Sequence, residues 1–234
     1  MNSAAMPGTW TQAPGVRLPA VLRRAKRPAT VERILVAAER IFAEGGMAGA
    51  RTDEIARAAR VNKALLYYYF SSKEKLHLSV LDALFRQLIV AVEAALSSDS
   101  LPRQRLLAYV DAYFDFILRH PNYPRLVQRE LMEGGKNLVW IARQYIGPIQ
   151  LKVSRILEAG VACGEFRRVD PLQTVMTINA MIVSYFAVAP VLSQVLGRDA
   201  LAKEAVAARR RAILDFLEHG LLRNPKRNRA AGKP

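Results

Sequence analysis

Between Arg51 and Lys75 three helix-start signals crowd into one stretch, RTDEIARAARVNKALLYYYFSSKEK, a spacing that leaves room only for brief helices joined by tight turns. Thr52 precedes Asp53 and Glu54, acids that the helix dipole favours in a first turn, and Ile55, Ala56 and Ala59 give that helix one apolar side. Asn62 is a good N-cap for a helix reaching about Phe70. Ser71 with Glu74 reads as an S-x-x-E capping box, opening a longer helix to about Leu96. Upstream, Val31, Ile34, Leu35, Ala38, Ile41 and Phe42 recur at three and four, which predicts an amphipathic helix capped by Thr30 and stopped at Gly45 and Gly46.

The remainder continues in the same manner. Helical apolar segments are broken at residues 97–102, 120–124, 134–135, 162–166, 170–171 and 196–199, with no alternating strand pattern, no Asn-Gly or Asp-Gly hairpin turn and no internal repeat. The expected fold class is all-α: an N-terminal three-helix unit holding a helix-turn-helix, followed by a C-terminal helical bundle. Pro148 is expected in a first turn or at a kink, and Pro190 to kink or end its helix. Residues 1–29, with the basic run Arg23, Arg24, Lys26 and Arg27, read as a flexible arm. The domain boundaries that follow are 30–76, its last helix running on to about 96, then 97–223, with a disordered tail at 224–234.

Charge narrows the partners. With 35 Lys and Arg against 20 Asp and Glu, the formal net charge of +15 directs the chain toward polyanions. A single cysteine, Cys163, excludes an internal disulfide framework and fits a reducing cytoplasm; beside Gly164 it reads as a small packing residue. His77, His120 and His219 lie too far apart to suggest a metal site, and no cofactor is implied. His120, in HPNYP, reads as a surface or capping residue. No nucleophile motif, Gly-rich phosphate loop or paired carboxylates indicate an enzyme. Residues 175–192 are nearly long enough to cross a bilayer, but Asn179, Ser184 and Pro190 favour a buried helix of a bundle, so no membrane is expected. The opening residues carry prolines and glycines where a signal peptide needs a continuous apolar segment.

A helix-turn-helix lays its second helix in the DNA major groove. At about 100° per residue, Leu65, Leu66, Tyr69 and Phe70 share an inner side, with Tyr69 at its boundary, while Lys63, Ala64, Tyr67 and Tyr68 share the outer one. Tyrosine hydroxyls reach phosphates on rigid rings. Lys63 suits a base edge or a phosphate, and the Ala64 methyl permits close approach or meets a thymine methyl. Lys73, in the next first turn, adds a phosphate-directed charge.

RILVAAERIFAEGG and RTDEIARAARVNKALLYYYFSSKEKL together resemble the DNA-binding domain of the TetR family of bacterial transcriptional regulators. The resemblance rests on A-x-x-x-F-x-x-x-G, T-x-x-x-I-A-x-x-A, L-Y-x-Y-F and S-K-E-x-L, and covers residues 31–76. It implies that Thr52, Lys63, Ala64, Tyr67, Tyr68, Tyr69 and Lys73 supply groove and phosphate contacts, with Arg51, Arg60 and Asn62 completing the candidate set. Glycine is frequent in the family where Arg60 stands; a left-handed Arg60 would cost about 1–2 kcal/mol, and a phosphate contact from it is the alternative use. Serine is frequent where Asn62 stands, and Asn62 is a fair capping substitute.

The resemblance further implies a homodimer formed through the last two helices, 171–196 and 199–222, a roughly palindromic double-stranded operator, and a small-molecule inducer. Residues 169–199 are similar to regulators of the pyrimidine-utilisation repressor type. Polar or aromatic groups on apolar helices nominate Tyr109, Tyr113, Trp140, Tyr145, Asn179 and Tyr185 for the inducer pocket. The expected function is a ligand-responsive repressor; a protein of the same fold with an architectural or cell-division role is the alternative.

Overall fold

A computed structural model describes residues 28–134 and 136–222. Of the arm expected over residues 1–29 only Pro28 and Ala29 are described, and Ala29 is already helical; the rest of it and the tail from Asn224 lie outside the described residues. Ten α-helices are found among those described: α1 (Ala29–Gly49), α2 (Thr52–Ala58), α3 (Lys63–Phe70), α4 (Lys73–Ser97), α5 (Pro102–Arg119), α6 (Tyr123–Met132), α7 (Lys136–Ile141), α8 (Gly147–Ala162), α9 (Pro171–Leu196) and α10 (Lys203–Leu221). A π-helical turn, Ala142–Ile146, joins α7 to α8, and Pro148 falls in the first turn of α8.

α1 buries every residue of the predicted stripe, and its regular geometry breaks at Gly46, where φ is 67°. It starts two residues earlier than expected. Pro28, with its φ of −59° and ψ of 142°, holds the cap position, so Thr30 lies inside the first turn and its hydroxyl accepts from Arg33 instead of capping. Asn62 caps α3 as predicted, its Oδ1 accepting from the Leu65 N–H at 2.7 Å. The capping box does not form. Ser71 closes α3 in a left-handed conformation, φ 65°, which moves the cap of α4 to Ser72, whose Oγ accepts from the Lys75 N–H.

α4 is the spine of the molecule, packing against α1 on one side and α5 on the other. It runs unbroken from the helix-turn-helix into the bundle, so the two halves share one rigid element. Asp170 caps α9 by accepting from the Gln173 N–H, and Gly197 ends it at φ 61°. The helix passes through Pro190 and stops six residues later, contrary to an end there. α10 begins at Lys203 rather than at 199, because Gly197 to Ala202 form a turn in which Asp199 and Ser193 accept backbone N–H groups.

Two burial expectations are corrected. Cys163 is exposed, since it sits at the C-cap of α8 where the chain turns outward. α9 buries Val175, Ile178, Ile182, Phe186 and Ala189 but leaves Met176, Val191 and Val195 at 51%, 64% and 75% exposed, so one side of it, not the whole helix, belongs to the core.

Phe166 and Leu222 form an isolated antiparallel bridge that ties the loop after α8 to the end of α10. The Phe166 ring lies so close to Gly160 that a Cβ there would sit 2.1 Å from it. Gly160→Ala should therefore destabilise the fold by about 1–3 kcal/mol through overpacking, despite alanine's better helix propensity. A lowered urea midpoint with an unchanged slope is the expected readout; an unchanged midpoint would refute the close approach.

Candidate nucleic-acid interface and ligand cavity

α3 is held from below by Leu66 and Phe70, both fully buried, while Leu65 and Tyr69 are half-buried at its margins. Lys63, Ala64, Tyr67 and Tyr68 face out, Tyr68 with 78% of its surface exposed. Tyr69 packs edge-on between Tyr68 and Phe70, ring centroids 5.2 and 6.4 Å away, which places it on the inner margin of the outward face.

The turn brings α2 against this face. Thr52 Oγ1 and Tyr67 Oη lie 3.4 Å apart, and Lys63 Nζ pairs with Asp53 Oδ1 at 3.0 Å, which raises the Lys63 pKa through that hydrogen bond and charge. Arg51 is exposed beside them. Lys73 donates to the Ala50 carbonyl at 3.2 Å, so one of its three protons ties α4 to the turn before α2. Arg60 does take the left-handed conformation, φ 55°. Arg60→Gly should accordingly gain about 0.5–1 kcal/mol once glycine's own entropy cost is subtracted. The same variant tests its other use: if Arg60 contacts a phosphate, the slope of log K against log salt falls by about one.

Among the candidate DNA contacts, Thr52, Lys63, Tyr67 and Tyr68 thus come together on one surface, with Arg51, Ala64 and Asn62 at its edges and Lys73 and Arg60 flanking it. Asp53, the partner of Lys63, was not among the predicted site residues; only the turn between α2 and α3 brings these two residues, ten apart in sequence, together.

A cavity of about 380 Å³ opens between α4, α5, α6, α8 and α9. Three of the six nominated residues line it: Tyr109, Tyr113 and Asn179. Tyr109 donates to Asn179 Oδ1 at 2.7 Å, and the Tyr113 and Tyr123 hydroxyls are 3.0 Å apart. Burial pushes all three phenols well above the usual tyrosine range, so they are neutral O–H groups.

Trp140, Tyr145 and Tyr185 do not line the cavity. Tyr145 donates to the buried Asp82 carboxylate and stacks on Phe85, with Trp140 edge-on against it. Tyr185 donates to the Ala200 carbonyl at 2.6 Å beneath the Arg209 guanidinium, bracing the α9–α10 turn. Tyr123 and Gln150 were missed. Tyr123 stands in HPNYP, which reads as a loop, yet it is the first residue of α6; Gln150 follows a proline in a segment whose helical phase is reset by the π turn.

α6 faces both halves. Tyr123, Val127 and Leu131, spaced by four, point to the cavity. From its other side Arg129 donates to the Ala43 and Glu44 carbonyls at the end of α1, and Glu133 accepts from the Met47 N–H. Glu130 pairs with His77 of α4 at 3.6 Å, both buried.

A helix-turn-helix with an outward, capped second helix, carried by a helical body with a cavity between its helices, is the architecture of a DNA-binding transcriptional regulator. Residues 34–80 match the family of bacterial regulatory proteins called the tetR family, and residues 102–217 match the tetracyclin repressor-like C-terminal domain. The chain is 32% identical over 202 residues to the HTH-type transcriptional repressor NicS of Pseudomonas putida, covering 83% of this chain and 93% of that protein. It is 29% identical over 167 residues to the HTH-type transcriptional regulator RutR of Escherichia coli, covering 70% and 77%. In fold it is similar to the ketosteroid transcriptional regulator KstR2 of Mycobacterium tuberculosis, with a TM-score of 0.70 at 20% identity over 85% of this chain and 98% of that one. The chain belongs to the TetR family.

Proposed function

We propose that this regulator is a homodimeric repressor, working in the cytoplasm and not an enzyme, that leaves a roughly palindromic operator when a small molecule fills the cavity of the bundle. The observation that carries this reading is the double attachment of α6, whose cavity face and α1-gripping face are the two sides of one short helix. A ligand that shifts Tyr123, Val127 or Leu131 moves Arg129, and with it the end of α1, which packs against α2 and through it bears on α3.

The exposed apolar sides of α9 and α10, including Val191, Val195 and Phe216, support pairing with a second copy. Although α9 is long and apolar enough to cross a membrane, a second copy accounts for that surface without one. Two-fold pairing would set the two copies of α3 about 34–36 Å apart, one turn of duplex.

On each copy, Lys63 and Ala64 read bases while Thr52, Tyr67, Tyr68, Tyr69, Lys73, Arg51 and Arg60 position the helix on phosphates; Asn62 holds its first turn. Selection of fragments from a genomic pool, followed by mobility shift, tests the reading. An inverted-repeat site bound at about 10⁻⁸ M or tighter, at least about a thousandfold above random duplex, is expected. Equal affinity for all fragments would favour an architectural role instead. Arg129→Ala should keep operator binding but blunt its release by ligand.

A further inference from the structure

The polar groups of the cavity offer hydrogens, and they offer no charge. Tyr109 gives its proton to Asn179 Oδ1, which fixes the orientation of that amide and leaves both Nδ2 protons without an acceptor among the described residues. Tyr113 and Tyr123 hold two hydroxyl protons between them and use one on each other. The second proton has no acceptor among the described residues, although both side chains are at least 95% buried. A buried donor in that state is costly unless something accepts from it. Gln150 adds a further amide to the lining.

Among the described residues no Lys, Arg, His, Asp or Glu lines this space; the rest of the wall is Phe85, Leu88, Val127, Ile149, Val183 and their apolar neighbours. A carboxylate would satisfy the donors, but it would be buried with no cation to pair with, and that desolvation is not recovered. Aromatic faces can hold a quaternary ammonium. Here, however, the spare hydroxyl and amide protons of the lining residues repel a cation, and the Phe85 ring is already packed edge-to-face with Tyr123 at 5.4 Å and stacked on Tyr145 at 6.2 Å. The volume, about 380 Å³, suits a compact molecule.

We infer that the cavity takes an uncharged, mainly apolar small molecule bearing a carbonyl-type acceptor, a ketone, ester, lactone or amide, which receives the spare phenol proton of the Tyr113–Tyr123 pair and the amide protons of Asn179. This assignment rests on the ligand-responsive reading above and names the chemistry of its ligand.

The test titrates the full chain with 6-propionyl-2-(dimethylamino)naphthalene, an uncharged ketone whose emission moves to the blue in a dry apolar site. Its matched acid, 6-(dimethylamino)naphthalene-2-carboxylate, and the matched trimethylammonium salt are titrated alongside. The ketone should bind saturably, with the acid and the cation each weaker by about thirtyfold or more, since an unpaired buried charge is not compensated. Tyr113→Phe with Tyr123→Phe should weaken the ketone about tenfold, the worth of one buried hydrogen bond. Of the two single variants, only the one whose hydroxyl faces the ligand should approach that loss.

Val183→Trp, or Met176→Trp should the first fail to fold, plugs the space and should abolish the blue-shifted signal, which excludes binding on the exposed faces of α9 and α10. The inference is overturned by an acid or cation that binds as well as the ketone, by a double phenylalanine variant of unchanged affinity, by a plug without effect, or by no saturable ketone binding. Release of a selected operator by an acid or a cation would leave the ligand-responsive reading standing and remove this one. Ketone held in the cavity of a protein without sequence-selective DNA binding would do the reverse.

Discussion

Ala64→Asp weakens operator binding by at least about 100-fold while leaving the fold as stable as before or slightly more so, because the two effects of the new carboxylate act in opposite places. Position 64 is exposed in the first turn of α3 and is the smallest side chain of its outward face. For the isolated protein an acid in a first helical turn meets the positive end of the helix dipole, worth about 0.3–1 kcal/mol. Against DNA the same carboxylate is pressed toward the phosphates and acceptor-rich base edges. A mobility-shift titration paired with a thermal melt separates the two. Binding that survives with an unchanged melting temperature would show that α3 is not the reading helix.

Arg86→Met should cost about 3 kcal/mol, enough to lower the melting temperature by roughly 10 °C. The Asp82 carboxylate is fully buried and accepts from Arg86 Nε at 2.9 Å and from the Tyr145 hydroxyl. Removing the guanidinium leaves that charge with a neutral partner only. The reverse change, Asp82→Asn, should be milder, since the Arg86 side chain is 49% exposed and can turn to water. The damage reaches the cavity, because Tyr145 stacks on Phe85 and Phe85 forms part of its wall. A scan of both variants checks the order; equal losses would mean that the desolvated carboxylate is not what sets the cost.

Helix order was readable in advance where a side chain has one local task. Asn62 caps because its oxygen has a backbone N–H three residues on to accept from, and the stripe from Val31 to Phe42 buries because its period admits only one apolar face. Adjacent choices were not readable. Ser71 and Ser72 are the same residue, and which one caps depends on how α3 ends, a matter decided by the packing of Phe70. The cavity was half legible for a related reason. Tyr109, Tyr145 and Tyr185 are alike in sequence, but the partner that takes each hydroxyl lies 70, 63 and 15 residues away, so the tertiary fold alone decides which of them meets open space. Trp140 and Tyr145 also precede or enter a π turn, where a 3.6-residue count loses its phase.

The pairing of Lys63 with Asp53 bears on how a chain of such strong positive charge moves along a chromosome. On the proposed reading, the carboxylate occupies the lysine as a phosphate would, so a chance encounter with random duplex exchanges one anion for another and gains little. A cognate base edge, by adding the fit of the neighbouring hydroxyls, can outcompete the internal rival. Discrimination in this protein would then begin before any DNA arrives, in a side chain that has to be lured away from its own neighbour.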